Sequence, residues 1–433
     1  MTAGAGSATI AAEIEHAVAS GELAAGDRLP AVRALASDLG VSPATVAAAY
    51  RTLKQRGLVS ANGRHGTTVA AQPPLGVRPR RVLPPNARDL ASGNPDRALL
   101  PPLDGALARI DRSHKLYGGR TKLPQLVELA TADFAADGIR GEIGITAGAL
   151  DGIERALQSQ LRPSDRVAVE DPSWPRIGDL VRALGLQLEP VLIDERGLLP
   201  DQLAVALERG ARAVIATPRG QNPTGAALDT SRAHALRQVL AAQPEVLVIE
   251  DDYLAAVAGA PYFSIHDASA RWIVIRSLSK LLGPDLRIAT LAGDALTVSR
   301  IEGRQLVGPG WVSHLLQQIA AELWSAPSTH RLLTRAKRLY AQRREALVDA
   351  LAQVGLSAHG DTGFGVWVPL AEEAEAAQFL LERGWAVSPG ERFRFNAPSG
   401  LRITTTDLQP REAEQLAAIL HELARGAGST YSG

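Results

Sequence analysis

"RSLSKLLGPDLRIA", Arg276–Ala289, sits between two apolar runs, "RWIVIRS" (271–277) and "IATLAGD" (288–294). Its lysine, Lys280, is one of only five in a chain with 46 lysines and arginines. An arginine would carry charge at this place, but it cannot form a stable imine. The retained amine therefore marks Lys280 as a candidate covalent anchor, made nucleophilic by partial desolvation and a cationic neighbour. Ser277 and Ser279 offer hydroxyls on either side, and Arg287 offers a planar fork suited to a phosphate.

Further runs lie upstream: "VAVED" (167–171), "LEPVLID" (188–194), "RAVIATP" (212–218) and "VLVIEDDY" (246–253). Continuous apolar runs alternating with helical patterns predict a mostly parallel sheet buried on both faces, an α/β arrangement. Such a sheet places ligands where strands end and helices open. "GITAGALDGIERAL" (144–157) sets Gly148 and Ala149 at a strand-to-helix turn, where backbone N–H groups can hold a phosphate. "VAVEDPSWP" (167–175) offers Trp174, whose ring can stack on a flat heterocycle or fill a core. "TPRGQNPTG" (217–225) presents Asn222 in a turn, and "VLVIEDDYLA" (246–255) releases Asp251, Asp252 and Tyr253 at a strand end. A carboxylate there can pair with a pyridinium nitrogen. "GFGVWVPL", "WAVSPG" and "GLRITTT" near the C-terminus predict a smaller α+β domain, from about residue 325 to 433.

The N-terminal region reads differently. Ile10, Ile14 and Val18 recur every four residues on one helix face. "AVRALASDLG" (31–40) ends on a C-cap glycine, and in "VSPATVAAAYRTLKQRGLV" (41–59) Ser42 can cap a helix that Pro43 opens. Val46, Tyr50 and Leu53 share its inner face. "LVSANGRHGTTVA" (58–70) carries Asn62-Gly63, a strong hairpin signal. The sum is a winged helix-turn-helix over residues 1–70, with its second paired helix suited to a DNA major groove. A Pro/Arg-rich linker (71–90) with Arg78, Arg80, Arg81 and Arg88 follows; these arginines either brush DNA phosphates or face solvent. The remainder, 91–433, is the α/β region.

Composition bounds the alternatives. A formal net charge of +0 excludes bulk affinity for polyanions, so any nucleic-acid surface is local. The absence of cysteine excludes disulfides and thiolate-bound metal, and no metal site is expected. The start lacks the pattern of a signal peptide and no long apolar run spans a bilayer, so a cytoplasmic protein is expected.

In this order the motifs resemble the fold-type I, class I/II pyridoxal-phosphate (PLP) aminotransferases from roughly Tyr117 to Arg402. The full chain resembles GntR regulators of the MocR subfamily, which join a winged helix-turn-helix to an aminotransferase-like domain. The resemblance rests on "NPTG", "EDDY", "SLSK…LR" and "GDRLPAVRALASDLGVSPATVAAAYRTLKQRGLV". It implies that Lys280 forms the internal aldimine, Asp251 pairs with the pyridine nitrogen, and Asn222 and Tyr253 bond the phenolic oxygen. Trp174 would stack on the ring. Gly148, Ala149, Ser277 and Arg287 would hold the phosphate, Ser279 is a further cofactor-binding hydroxyl, and Tyr117 in "KLYGGR" resembles a tyrosine that reaches the neighbouring subunit's phosphate. Arg402 matches the arginine that grips an amino acid's carboxylate, and "LASGNPDRALLP" (90–101) resembles the opening of the effector domain. Arg33, Ser42, Thr45, Arg64, His65 and Gly66 stand where family members touch DNA. Pro43 departs from the arginine many members carry, and "GGRTKLPQLVELA" departs from the usual pattern after the tyrosine.

The fused reading head implies a homodimeric DNA-binding regulator that senses PLP, or an amino acid or amine, through Lys280. A switch between apo and holo states and a switch on an external aldimine both fit. The alternative is a working aminotransferase with an appended winged helix, since the residues for its first half-reaction are all present.

Overall fold

Apolar residues at helical spacing build the N-terminal unit of the computed structural model, which describes residues 6–20, 22–24, 26–55, 58–61, 66–69 and 83–429. Helices α1 (Ser7–Ala19), α2 (Val32–Leu39) and α3 (Pro43–Gln55) enclose a core of Ile10, Ile14, Leu35, Leu39, Val46, Tyr50 and Leu53. Gly40 closes α2 in the left-handed conformation (φ 63°), and the Ser42 hydroxyl accepts the Thr45 N–H at 3.1 Å, so the turn between α2 and α3 is capped on both sides. Strands β1 (Val59–Ala61) and β2 (Thr67–Val69) pair antiparallel as the wing. Backbone bonds from Leu29 to Thr67 and from Val69 to Asp27 add the 26–29 segment to its edge. The Asn62-Gly63 turn, Arg64, His65 and linker residues Arg78, Arg80 and Arg81 lie outside the described residues.

By internal contacts the chain divides into two compact units: 1–81 with the short segments 162–166 and 176–188, and the remainder. In chain order after the wing come β3 (Arg88–Asp89), α4 (Asp104–Arg109), α5 (Pro124–Ala136), β4 (Glu142–Thr146), α6 (Ala149–Gln160), β5 (Arg166–Asp171), α7 (Pro175–Ala183), β6 (Gln187–Asp194), β7 (Gly197–Leu198), α8 (Pro200–Glu208), β8 (Ala211–Ala216), α9 (Thr230–Ala241) and β9 (Leu247–Asp251). Then follow β10 (Arg271–Ser277), α10 (Ser279–Leu282), β11 (Ala289–Gly293), α11 (Ala295–Leu306), α12 (His314–Ser325), α13 (Pro327–Gln353), β12 (Gly365–Pro369), α14 (Glu373–Glu382), β13 (Trp385–Ala386), β14 (Ser388–Pro389), β15 (Gly400–Thr404) and α15 (Pro410–Ser429).

An eight-stranded sheet runs β4-β11-β10-β9-β8-β5-β6-β7. Strands β8, β9 and β10 pair in parallel, as their uninterrupted apolar runs require. Strand β11 runs against both β10 and β4, because the short 278–288 connection cannot make a parallel crossover. The registers set the site. Asp251 lies opposite Ile275, two residues before Ser277, while Ser277 faces Ala289, which faces Thr146. The ends of β4, β9 and β10 therefore share one edge.

The C-terminal region builds its own sheet, β12-β15-β14, with Arg402 between Trp367 and Ser388. Arg88 and Asp89, placed by sequence within the linker, instead form strand β3 parallel to β13. Arg88 is held there by Asp407 at 2.8 Å and Glu412 at 2.9 Å, which removes it from the set of linker arginines open to DNA or solvent. Leu90, fully buried, anchors the strand in the C-terminal core. Among the described residues no helix is long and apolar enough to cross a membrane.

Candidate functional site

Lys280 emerges in the first turn of α10, directly after the β10 edge. Its ammonium is mostly enclosed, and burial, reinforced by the cations of Arg402 and Arg287, pulls its pKa down to about 8. Near neutral pH a useful fraction is thus free amine, the form that attacks a carbonyl. Its Nζ donates to the backbone carbonyl of Gly93.

Asp251 ends β9 fully enclosed, and its Oδ1 has no hydrogen-bond partner. Burial, then the neighbouring carboxylates Asp252 and Glu170, push its pKa up to about 7. A buried acceptor left open costs about 1–3 kcal/mol, so it marks a place built for a donor from outside the chain. Tyr253 donates to the Gly220 carbonyl at 2.8 Å, and burial holds its phenol in the protonated form. Asn222 accepts from Arg402 Nη1 at 3.3 Å through Oδ1, which leaves its amide N–H groups to donate elsewhere. Trp174, four residues after Glu170 and just beyond the β5 end, is half-buried.

A second open pocket of polarity lies at the β4 and β10 ends. Gly148 has φ 104°, and a Cβ there would lie 2.7 Å from Arg287 Nη2. Only glycine lets that guanidinium lie over the N-terminus of α6, which Ala149 opens. Arg287 itself adopts a left-handed backbone (φ 35°), unusual for a residue with a side chain. Ser277 Oγ accepts the Ser279 N–H at 3.3 Å, and Ser279 Oγ is buried without a partner. Helix N-terminus, glycine, two hydroxyls and an arginine make an anion cradle. The residues present therefore fit PLP at both ends: an orphan carboxylate for its ring nitrogen, and an orphan hydroxyl with a cationic fork for its phosphate.

Arg402 is fully enclosed, which lowers its pKa to about 10. Its Nη2 donates to Ala91 O and to Thr404 Oγ1 (3.2 Å), and its Nε has no partner. Tyr117 is not buried with this group: it is 92% exposed, with Trp311 edge-on to its ring at 5.6 Å.

On the N-terminal unit Arg33 and Ser42 are exposed, and Ser42 and Thr45 bond each other at 2.9 Å. Gly66 has φ 82°, with the Arg28 guanidinium against it at 3.0 Å from a would-be Cβ.

Sequence reasoning missed the carbonyls of Ala91 and Gly93, the buried Glu170 and the pair Arg219 and Arg276. A carboxylate inside the apolar run "VAVED" was the one local signal for Glu170. Arg219 and Arg276 clamp Asp252, with contacts of 2.8–2.9 Å.

The model of the aminotransferase class I and II family matches residues 86–420, and that of the bacterial gntR regulatory family matches residues 7–69. The vitamin B6 salvage pathway transcriptional repressor of Salmonella typhimurium is 42% identical over 414 residues, covering 94% of this chain and 96% of the relative. A pyridoxine biosynthesis transcriptional regulator of Corynebacterium glutamicum is 29% identical, over 79% of this chain and 78% of its own. A kynurenine aminotransferase of Pyrococcus horikoshii, solved with PMP, superposes with a TM-score of 0.72 at 21% identity, over 79% of this chain and 91% of that chain. At that identity the likeness concerns the fold alone.

Proposed function

Because the chain belongs to the aminotransferase class I and II family and carries a gntR-type DNA-binding domain ahead of it, as the MocR-type regulators do, we propose that it is a transcriptional regulator of vitamin B6 supply whose effector is PLP. The observation that supports the reading is the enclosed, unpartnered Oδ1 of Asp251, an acceptor that a protonated ring nitrogen would satisfy. Bound PLP supplies an aldehyde that condenses with an amine and a ring that draws electrons from the new bond.

The chain's own residues do the rest. Lys280, as free amine, is the anchor. Asn222 orients the ring through its phenolic oxygen, joined by Tyr253 once its hydroxyl turns from the Gly220 carbonyl, Trp174 covers one face, and Gly148, Ala149, Ser277, Ser279 and Arg287 hold the phosphate. Arg402 favours PLP over an amino acid as the signal. Its Nη groups are already engaged by Ala91, Asn222 and Thr404, so an incoming carboxylate has to displace them. Two DNA-reading units act together in a homodimer in the cytoplasm. Supporting this are the exposed Leu116 and Tyr117, 80% and 92% accessible, and Tyr117 would reach the neighbour's phosphate site. Arg33, Ser42, Thr45, Arg64, His65 and Gly66 are the DNA contacts of this reading.

Purified full-length protein given PLP should absorb in the visible, and Lys280→Ala should lose that absorbance. Binding to DNA upstream of its own gene, followed by mobility shift at several salt concentrations, should change about tenfold on PLP addition. A protein that stays colourless with PLP ends the reading. Sustained release of keto acid from an amino acid would instead identify a working transaminase.

A further inference from the structure

Two of the three cations around the site are held by one short piece of backbone. Lys280 Nζ donates to Gly93 O, and Arg402 Nη2 donates to Ala91 O. Their side chains come from α10 of the large sheet region and β15 of the C-terminal sheet. The tripeptide Ala91–Gly93 thus ties the two together.

The same tripeptide adjoins the strand that leads in from the DNA-binding unit. Strand β3 is the first described element after wing strand β2, and it is only two residues long. A two-residue strand is marginal by itself. Beyond Arg88 and Leu90, its C-terminal hold depends on what fixes Ala91–Gly93. Among the described residues those fixings are the two cations, the Asp89 carboxylate accepting the N–H groups of Ala91 and Ser92 at 3.0 Å each, and Ser388 Oγ donating to Ala91 O at 3.2 Å. Gly93 is only partly buried, so its carbonyl can turn to water once released, at little cost.

We propose that the Ala91–Gly93 backbone is a latch on Lys280 and Arg402, closed in the ligand-free chain and opened when Lys280 bonds PLP. The inference rests on the regulator reading above and specifies how that site is read out. The amine nitrogen of Lys280 bonds the aldehyde carbon, and both amine hydrogens leave with the aldehyde oxygen as water. The nitrogen keeps at most one N–H where the free amine or ammonium had two or three. Gly93 O loses the donor it has from the free amine or ammonium, the segment from β3 to Gly93 loosens, and DNA binding changes with it. The latch is a two-state element biased by a ligand that interacts differently with its two states, as a switch requires.

Hydrogen–deuterium exchange of the peptide Asn86–Asp96 in the full chain is the direct test. Saturating PLP should speed its exchange at least about threefold. Pyridoxamine 5′-phosphate, which fills the same site without an aldehyde, should leave it slow. Asp89→Ala removes the acceptor that pins Ala91 and Ser92, without touching Lys280. It should exchange fast without PLP, still develop the chromophore, and bind DNA within about twofold of PLP-loaded wild type. Asp89→Asn, which keeps the acceptor, should behave as wild type. Should Asp89→Ala fail to fold, Ser388→Ala should shift the exchange in the same direction by a smaller factor. Chromophore formation with unchanged exchange overturns the latch alone, and so does a full PLP response of DNA binding in Asp89→Ala. Failure of wild type to form the chromophore overturns the latch together with the regulator reading.

Discussion

Asp252 and Asp251 are neighbours at the end of one strand and live in opposite chemical worlds. The cluster around Asp252 is closed: Arg219 and Arg276 reach it with three contacts of 2.8–2.9 Å, and Arg276 goes on to Asp133 at 2.7 Å and to Asp137. The cluster around Asp251 is open. Its own Oδ1, Ser279 Oγ and Arg402 Nε are buried without partners, and Lys280 is left among like charges. Successive residues of a strand point to opposite faces, so one register gives the chain a fully satisfied ionic core on one side and an unsatisfied site on the other. The difference separates structure from function: a protein tolerates orphan buried polar groups where a ligand completes them.

The sharpest way to break the comparison is to open the closed side. Asp252→Ala leaves two buried guanidinium groups without their shared carboxylate, a loss of about 3–5 kcal/mol for a broken buried ion pair. Thermal or urea unfolding of the full chain should show it. The opposite sign is expected for Asp251→Asn. Removing a buried charge that has no partner should raise the stability of the PLP-free protein at pH 8, while lowering PLP affinity about a hundredfold, roughly 2.7 kcal/mol. Unfolding and PLP titration on the same variant decide it. A stability loss without an affinity loss would make Asp251 a structural residue like its neighbour.

Much of the closed side and the frame of the open side could be read in the sequence, for different reasons. The runs Val246–Ile249 and Trp272–Ile275 announce buried parallel strands because each is uninterrupted apolar sequence at the centre of its strand. Lys280 and Asn222 stand out by residue type. Which of Asp251 and Asp252 faces the site depends on register, and the resemblance, not periodicity, singled out Asp251. Strand β3 was not legible: a two-residue pairing between Arg88 and Trp385 has no local pattern, and its Pro/Arg-rich surroundings read as linker. The same holds for Ala91 and Gly93, which act through carbonyls that every residue carries.

The smallest expected effect concerns how strongly Asp251 is held in its protonated form. Glu170, buried on β5, accepts from the Thr217 N–H at 2.8 Å and from Gln221 at 3.2 Å. Burial pushes its pKa up to about 7, and its charge contributes to the upward shift of Asp251. Both groups keep a proton in the folded state that the unfolded chain releases near pH 4, so the native state binds more protons between about pH 4 and 7. Stability of the PLP-free protein therefore falls as pH rises through that window and levels off above about 7. With both carboxyls titrating, the slope reaches at most about 2.7 kcal/mol per pH unit; Glu170→Gln removes one of them and should bring it to about 1.4. Melting temperature against pH, without PLP, measures the slope in both proteins. An unchanged slope would mean that Glu170 keeps its charge through its hydrogen bonds and does not titrate in this window.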